Sequence, residues 1–324
     1  MQARRRSTFR GLAAGLLAAG VALPALAARA GEPPAAAPIE LASGVYMVPG
    51  TGGEPDATNL GRIGNAGFIV GRTGVLAVDT GTSYLHGRAL LTAIRSVTDQ
   101  PVRLVLITHT RQEFLFGAAA FREQGIPIAM QQAAARLMAS RCDTCLQTLR
   151  TTLGDDAMRA TTMFAPDRAF VEPLEIDAAA LIGRPIQLLY FGHSSGPGDI
   201  AVYDPRTRTL FAGGLLDAQR IPDVIDSDLA RWGDALRSLQ ALPVDVIVPG
   251  HGPAGSKRVI TQVERYLDQL TTRVRALLKA GAPLSEVPDS TALPDFASWD
   301  QYDTVHRRNA ALVYLRYERE QLIK

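Results

Sequence analysis

Apolar residues occur along the chain in short runs whose period changes repeatedly, and those changes divide it into strands and helices. Residues 45–48, 66–70, 75–78 and 102–108 are compact runs rich in Val, Ile and Leu, bounded by Gly, Pro or Asp, and are predicted strands. Between the last two, Leu90, Leu91, Ile94 and Val97 recur at three- and four-residue steps, which predicts an amphipathic helix over 85–97. A helix over 113–124, a strand over 126–130 and a helix over 131–150 follow. The second half repeats the plan with strands at 186–191, 200–203 and 209–212, a helix at 229–242 and a strand at 244–248. Two last helices, 257–280 and 305–323, are joined by a Pro-containing segment. Strands alternating with helices predict an α/β (α+β) fold whose chemistry sits on loops that follow strands.

The first 44 residues read differently. Arg4, Arg5 and Arg6 precede an apolar stretch, and Ala25, Ala27, Ala28 and Ala30 offer small residues for cleavage, so residues 1–30 read as a signal peptide. The apolar stretch, about 16 residues, falls short of the roughly 20 that a bilayer span needs, so no stable membrane insertion is expected. A periplasmic or secreted location follows, with the Sec and twin-arginine routes both open. Residues 31–44 read as a flexible linker, residues 45–255 as one domain, and residues 256–324 as a helical extension packed on it. The 324 residues, 47% hydrophobic and 20% charged, suffice for a full core. The net charge is only +2, without a dense basic run after Arg10, which excludes nucleic acid as a partner.

Histidine is rare, and His109, His193 and His251 each follow a separate predicted strand. The segments around them are Asn65-Ala-Gly-Phe-Ile-Val-Gly71, Val75-Leu-Ala-Val-Asp79-Thr-Gly81, Leu104-Val-Leu-Ile-Thr-His109, Gly192-His193-Ser-Ser-Gly196, Leu210-Phe-Ala-Gly-Gly214 and Val248-Pro-Gly-His251. Together they resemble the metallo-β-lactamase superfamily, which implies a four-layer αββα sandwich with C-terminal helices and a zinc site on its loops. Residues 58–71 and 116–122, Arg220-Ile-Pro222 and His306-Arg-Arg-Asn309 resemble more closely the quinoprotein relay system zinc metallohydrolases. Those are exported proteins associated with pyrroloquinoline-quinone alcohol oxidation, and the resemblance implies a small-molecule ligand or substrate and a quinoprotein dehydrogenase system as partner.

The superfamily's first loop reads His-x-His-x-Asp-His, and the same positions here hold His109, Arg111, Glu113 and Phe114. The resemblance places His109 and His193 among the ligands of a first metal and Glu113 and His251 among those of a second, with Gly214 where a bridging Asp stands. A catalytic zinc takes three protein ligands and a water, so neither site is complete. At most one ion is expected, held by His109, His193 and His251 with Glu113. Arg111 cannot lose its proton. At about 5 Å and an effective dielectric near 20 it repels a dication by roughly 6 to 7 kcal/mol, unless it turns to solvent or pairs with Glu113. Phe114 offers no donor atom. Asp79 reads as a residue that orients a turn or a neighbouring histidine, Asp217 as a remote substitute for the lost carboxylate, and His86 and His306 as structural or exposed.

Cys142 and Cys145 are the only cysteines. Their spacing in an exported chain suggests a local structural disulfide, with free thiols and a redox or metal role as the alternatives. Two functional readings stay open. One is a non-catalytic protein whose Arg111 serves an anionic ligand; the other is a mono-metal hydrolase of an ester, lactone or similar small substrate that uses a metal-bound water.

Overall fold

The structure, a computed structural model, describes residues 37–173 and 176–323. The signal-peptide reading of residues 1–30 and the first part of the linker lie outside the described residues. Seven strands form one sheet in sequence order: β1 (Ile39–Ala42), β2 (Val45–Val48), β3 (Ala66–Val70), β4 (Val75–Val78), β5 (Val102–Ile107), β6 (Ile128–Gln131) and β7 (Arg168–Phe170). Pairing is antiparallel up to β4 and parallel beyond it. The second sheet runs β11 (Val246–His251), β10 (Thr209–Asp217), β9 (Ile200–Asp204), β8 (Gln187–Tyr190), with β10 and β11 parallel.

Alternation along the strands fixes which face each sheet buries. In β5, Leu104 and Leu106 point between the sheets with Ile69, Val78, Val202 and Phe211. Val105 and Ile107 point the other way, against α1 (Tyr84–Val97), α3 (Ala118–Glu123) and α4 (Gln132–Leu153). In the second sheet Leu210 and Ile247 face α6 (Leu229–Ala241), α7 (Arg258–Lys279) and α9 (Arg307–Leu322). The result is helix, sheet, sheet, helix. Because Val263, Tyr266 and Val313 share the core of Leu210 and Leu216, the last two long helices pack directly on the sandwich. No described helix is long and apolar enough to cross a membrane.

Four expectations need correction. Residues 39–42, inside the stretch read as a linker, form β1 and pair with β2, Ile39 opposite Met47; the Pro- and Ala-rich residues before them hide a short strand. The single helix expected over 113–124 is two, α2 (Gln112–Leu115) and α3. The break falls at Gly117, where a Cβ would meet the Thr80 carbonyl oxygen at 2.0 Å, so only glycine lets the chain press against the turn after β4. Strand β10 runs on to Asp217 and β11 ends at His251, so the parallel pair carries both residues to one end of the sandwich. Strand β7 and the short helix α5 (Ala178–Ile182) have no clear sequence pattern, and the expected lists omit them.

One buried ion pair ties the two sheets together. The Arg184 guanidinium reaches Asp204 at the end of β9 at 2.5 Å, the Val70 carbonyl at the end of β3 at 2.9 Å and the Ser43 carbonyl between β1 and β2 at 3.0 Å. Its side chain is 3% exposed and that of Asp204 is fully buried.

Candidate functional site

His109 leaves β5 buried and fixed. Asp79, at the end of β4 with a left-handed φ of +57°, accepts the Thr108 N–H at 2.9 Å and the Thr108 hydroxyl at 2.8 Å. That hydroxyl in turn lies 2.7 Å from His109 Nδ1. With the Thr108 proton given to Asp79, Nδ1–H donates to Thr108 and Nε2 keeps a lone pair. Burial and the nearby Arg111 charge hold the imidazole at about 3, so it is neutral at ordinary pH. Burial also pushes the Asp79 carboxyl up to about 7, against the Thr108 hydrogen bonds. Asp79 thus reaches His109 through the Thr108 hydroxyl.

His251, at the end of β11, meets two carboxylates. Asp217 Oδ1 accepts from its Nδ1 at 2.7 Å and from its backbone N–H at 3.1 Å. Nε2 faces Glu113 Oε1 at 3.2 Å, outside hydrogen-bonding geometry, and among the described residues it has no hydrogen-bond partner. Burial works against the charged imidazole, but Asp217 and Glu113 outweigh it and raise the pKa of His251. Burial likewise opposes the Glu113 charge, but His251 and Arg111 prevail and hold its carboxyl at about 2. Asp217 thus holds the His251 ring and backbone by hydrogen bonds.

Phe114 stands where the resemblance placed a metal ligand. Its ring centroid is 4.5 Å from that of His109 and 5.2 Å from that of His251. The ring is fully buried, and a Cβ on Gly64 would meet it at 2.6 Å. On the opposite side, a Cβ on Gly214 would meet His109 Cδ2 at 2.6 Å and the Ser195 hydroxyl at 3.1 Å. His193 departs from expectation: it is exposed, and its Nε2 contacts the Asp226 carbonyl oxygen at 2.5 Å. The cause is local. Ser194, Ser195 and the Gly196 N–H all bind Asp199, which folds the loop back and turns His193 outward.

Arg111 does not pair with Glu113. Its guanidinium binds the Asp223 carboxylate at 2.6 Å and the Asp223 carbonyl at 3.1 Å, and Arg308 of α9 binds the same carboxylate at 2.7 Å. Burial works against the Arg111 charge, but Asp223 and Glu113 outweigh it and raise its pKa. These groups line a cavity of about 260 Å³ together with His109, Glu113 and His251. Arg141 of α4 closes one side through a two-pronged contact with Asp226, at 2.7 and 2.8 Å. Cys142 and Cys145 also face the cavity, as thiols 3.3 Å apart and not as a structural disulfide. Asp223, Asp226, Arg141 and Arg308 were not foreseen as site residues. The acidic run Asp223-Val-Ile-Asp226-Ser-Asp228 and the Arg-Arg pair at 307 and 308 were the available signals. His86 and His306 are buried and structural: His86 Nδ1 lies 2.9 Å from the Ser83 hydroxyl, and His306 contacts Tyr266 and the Thr291 carbonyl.

The fold implies zinc, and the donor set tests that implication. His251 Nε2 and Glu113 Oε1 are separated as two ligands of one tetrahedral ion would be, with bonds of about 2.0 to 2.1 Å. A third protein ligand does not join them: Phe114 fills the position of one and Gly214 that of another, and His193 is turned away. Among the described residues no three His, Cys, Asp or Glu side chains are set to hold a metal. The residues present do not fit the superfamily's zinc centre. Restoring its lost carboxylate alone is not a remedy. Gly214→Asp is expected to destabilise the protein by about 1 to 3 kcal/mol through overpacking against His109. An unchanged denaturation midpoint together with new zinc binding would show that the loop accommodates it.

Comparisons with known proteins agree with this architecture. The chain is 25% identical over 262 residues to a linear primary-alkylsulfatase of a Pseudomonas species, covering 68% of this chain and 48% of that protein. It is 26% identical over 223 residues to the 2,4-dinitroanisole O-demethylase subunit alpha of a Nocardioides species, covering 68% of this chain and 62% of that one. It thus spans less than two thirds of either relative's length. Among solved structures it is similar to a metallo-beta-lactamase from Pontibacter korlensis, with a TM-score of 0.58 and 22% identity over 72% of this chain and 99% of that one. It is also similar to the mono-zinc form of the Pseudomonas aeruginosa metallo-beta-lactamase FIM-1, with a TM-score of 0.58 and 18% identity over 74% of this chain and 97% of that one. A profile of the family matches residues 60–251, more than half the chain and the whole span from β3 to His251. The layered sandwich, the loops that carry His109 and His251, and this match establish that the chain belongs to the metallo-beta-lactamase superfamily.

Proposed function

We propose that this protein is an exported, non-catalytic member of its superfamily whose cavity binds a small anionic molecule through arginine in place of zinc. The observation that carries the reading is the shared carboxylate: Arg111 and Arg308 both bind Asp223, so two guanidinium groups at the cavity wall have one directly bound carboxylate between them. A guanidinium held in this way presents free N–H donors in a planar fork suited to carboxylate, sulfate or phosphate. The alkylsulfatase relative acts on sulfate esters, which supports an oxyanion as the recognised group. The resemblance to quinoprotein relay proteins supports a place beside pyrroloquinoline-quinone alcohol oxidation, with a quinoprotein dehydrogenase system as partner.

Calorimetric titration with hexyl sulfate, alongside elemental analysis after mild zinc loading, tests the reading. Binding of the sulfate ester without turnover is expected, weakened about tenfold or more by Arg111→Met, which removes a charge-assisted hydrogen bond. One tightly held equivalent of zinc and steady release of sulfate would overturn it. That outcome would favour the second reading, a mono-metal hydrolase, to which the unpartnered His251 Nε2 facing Glu113 lends support.

A further inference from the structure

We propose that Cys142 and Cys145 are a reversible thiol–disulfide couple built into the cavity wall, oxidised by a disulfide-containing molecule, whose closure shifts the Arg141–Asp226 clamp. The two residues sit one helical turn apart on α4, with sulfurs 3.3 Å apart, and both border the cavity. Cys145 is partly accessible and Cys142 is buried, so the attacking and resolving roles are assigned by exposure. Side chains one turn apart on a helix have Cβ atoms about 5 to 6 Å apart, whereas a disulfide takes about 3.5 to 4.5 Å. Closing the bond therefore draws that turn together by about 1 Å or more.

Arg141 lies on the turn that moves. Its carbonyl oxygen is 3.7 Å from the Cys145 sulfur, and its guanidinium holds both oxygens of Asp226. The Asp226 backbone carbonyl is also the group that His193 contacts. A contraction at Cys142–Cys145 thus pulls on the loop that carries Asp223 and Asp226.

The chemistry balances with an external disulfide as oxidant. The Cys145 thiolate attacks one sulfur of that disulfide and expels the other as a thiolate, leaving a mixed disulfide. Cys142 then gives up its proton to solvent and attacks the Cys145 sulfur, expelling the second thiolate. Two protein thiols become one disulfide while the oxidant's disulfide becomes two thiols.

The Cys142 S–H pulls the Cys145 thiol down to about 7, against burial, and the same contact with burial pushes Cys142 up. Of the two thiols, Cys145 is therefore the one that ionises more readily.

The test incubates the whole protein in graded ratios of reduced to oxidised glutathione, quenches in acid, alkylates with N-ethylmaleimide and reads the intact mass. Both thiols should disappear together, with the loss of two hydrogens, and return on reduction. Cys142→Ser should trap a glutathione adduct on Cys145, whereas Cys145→Ser should react about tenfold more slowly or worse. In the oxidised wild type, amide exchange over residues 223–228 should rise. The proposal is overturned if both cysteines stay alkylatable in oxidised glutathione, or if the wild type accumulates a stable glutathione adduct. Unchanged exchange over 223–228 would refute the link to the clamp.

Discussion

Replacing Arg111 with histidine is expected to tighten zinc binding by about a hundredfold or more, which corresponds to roughly 2.7 kcal/mol. The wild-type side chain is a permanent cation beside His109 and Glu113, and its repulsion of a dication at about 5 Å is several kcal/mol at an effective dielectric near 20. The substitution removes that charge and supplies an imidazole at once. Asp223 is not stranded, because Arg308 still binds it. The set that assembles differs from the superfamily's, however. His193 faces the Asp226 carbonyl, so the new imidazole is expected to join His109 with Glu113 or His251. Zinc titration against a competing chelator, with wild type and Arg111→Met as references, measures the gain. Equal affinity in all three proteins would mean that the Arg111 charge does not govern metal binding. A gain in Arg111→Met as large as in Arg111→His would assign the effect to charge alone. Hydrolysis need not return, since Phe114 still occupies the space between the two histidines.

Arg184→Ala is expected to cost about 3 to 5 kcal/mol of stability, because it leaves the buried Asp204 charge without its cation. For a chain of this size, about 2 to 4 °C of melting temperature accompanies each kcal/mol, so a fall of the order of 10 °C should appear in calorimetry. The Thr207 hydroxyl and the Arg206 N–H still reach Asp204, but neither carries charge. The carbonyls of Val70 and Ser43 lose a donor as well. Arg184→Lys should recover part of the loss, since an ammonium restores the charge but cannot span three acceptors in the plane of a guanidinium. A melting temperature within about 2 °C of wild type for Arg184→Ala would contradict the account.

The strands were legible in the sequence because β3, β4, β5, β9 and β10 are compact, mostly apolar runs, nearly all of their residues buried. His109 and His251 were legible for a related reason: each terminates a strongly apolar strand. His193 belonged to the same pattern and yet turns away, because a three-donor turn around Asp199 sets the loop's course, and such a turn has no periodic signature. The break between α2 and α3 was hidden since Gly117 reads equally well as the start of a helix. Its actual role depends on the Thr80 carbonyl, nearly forty positions earlier. The partners of Arg111 were illegible on similar grounds. Asp223 is 112 positions away and Arg308 lies in a helix beyond it, and pairing across such distances leaves no local mark. The cysteine pair was visible, but its thiol state was not, because spacing alone does not distinguish a bridge from a contact.

The close packing around Phe114 and His109 also resists change. Gly64 leaves just enough room for the Phe114 ring, and Gly214 just enough for the His109 imidazole. Changing Phe114 back to a ligand opens a hole beside Gly64, while adding a carboxylate at 214 collides with the histidine it is meant to assist. Each step toward a metal centre, taken singly, lowers fitness for folding before any zinc is gained. Neighbours already fill the space around both rings, so building a metal centre here requires several coordinated changes.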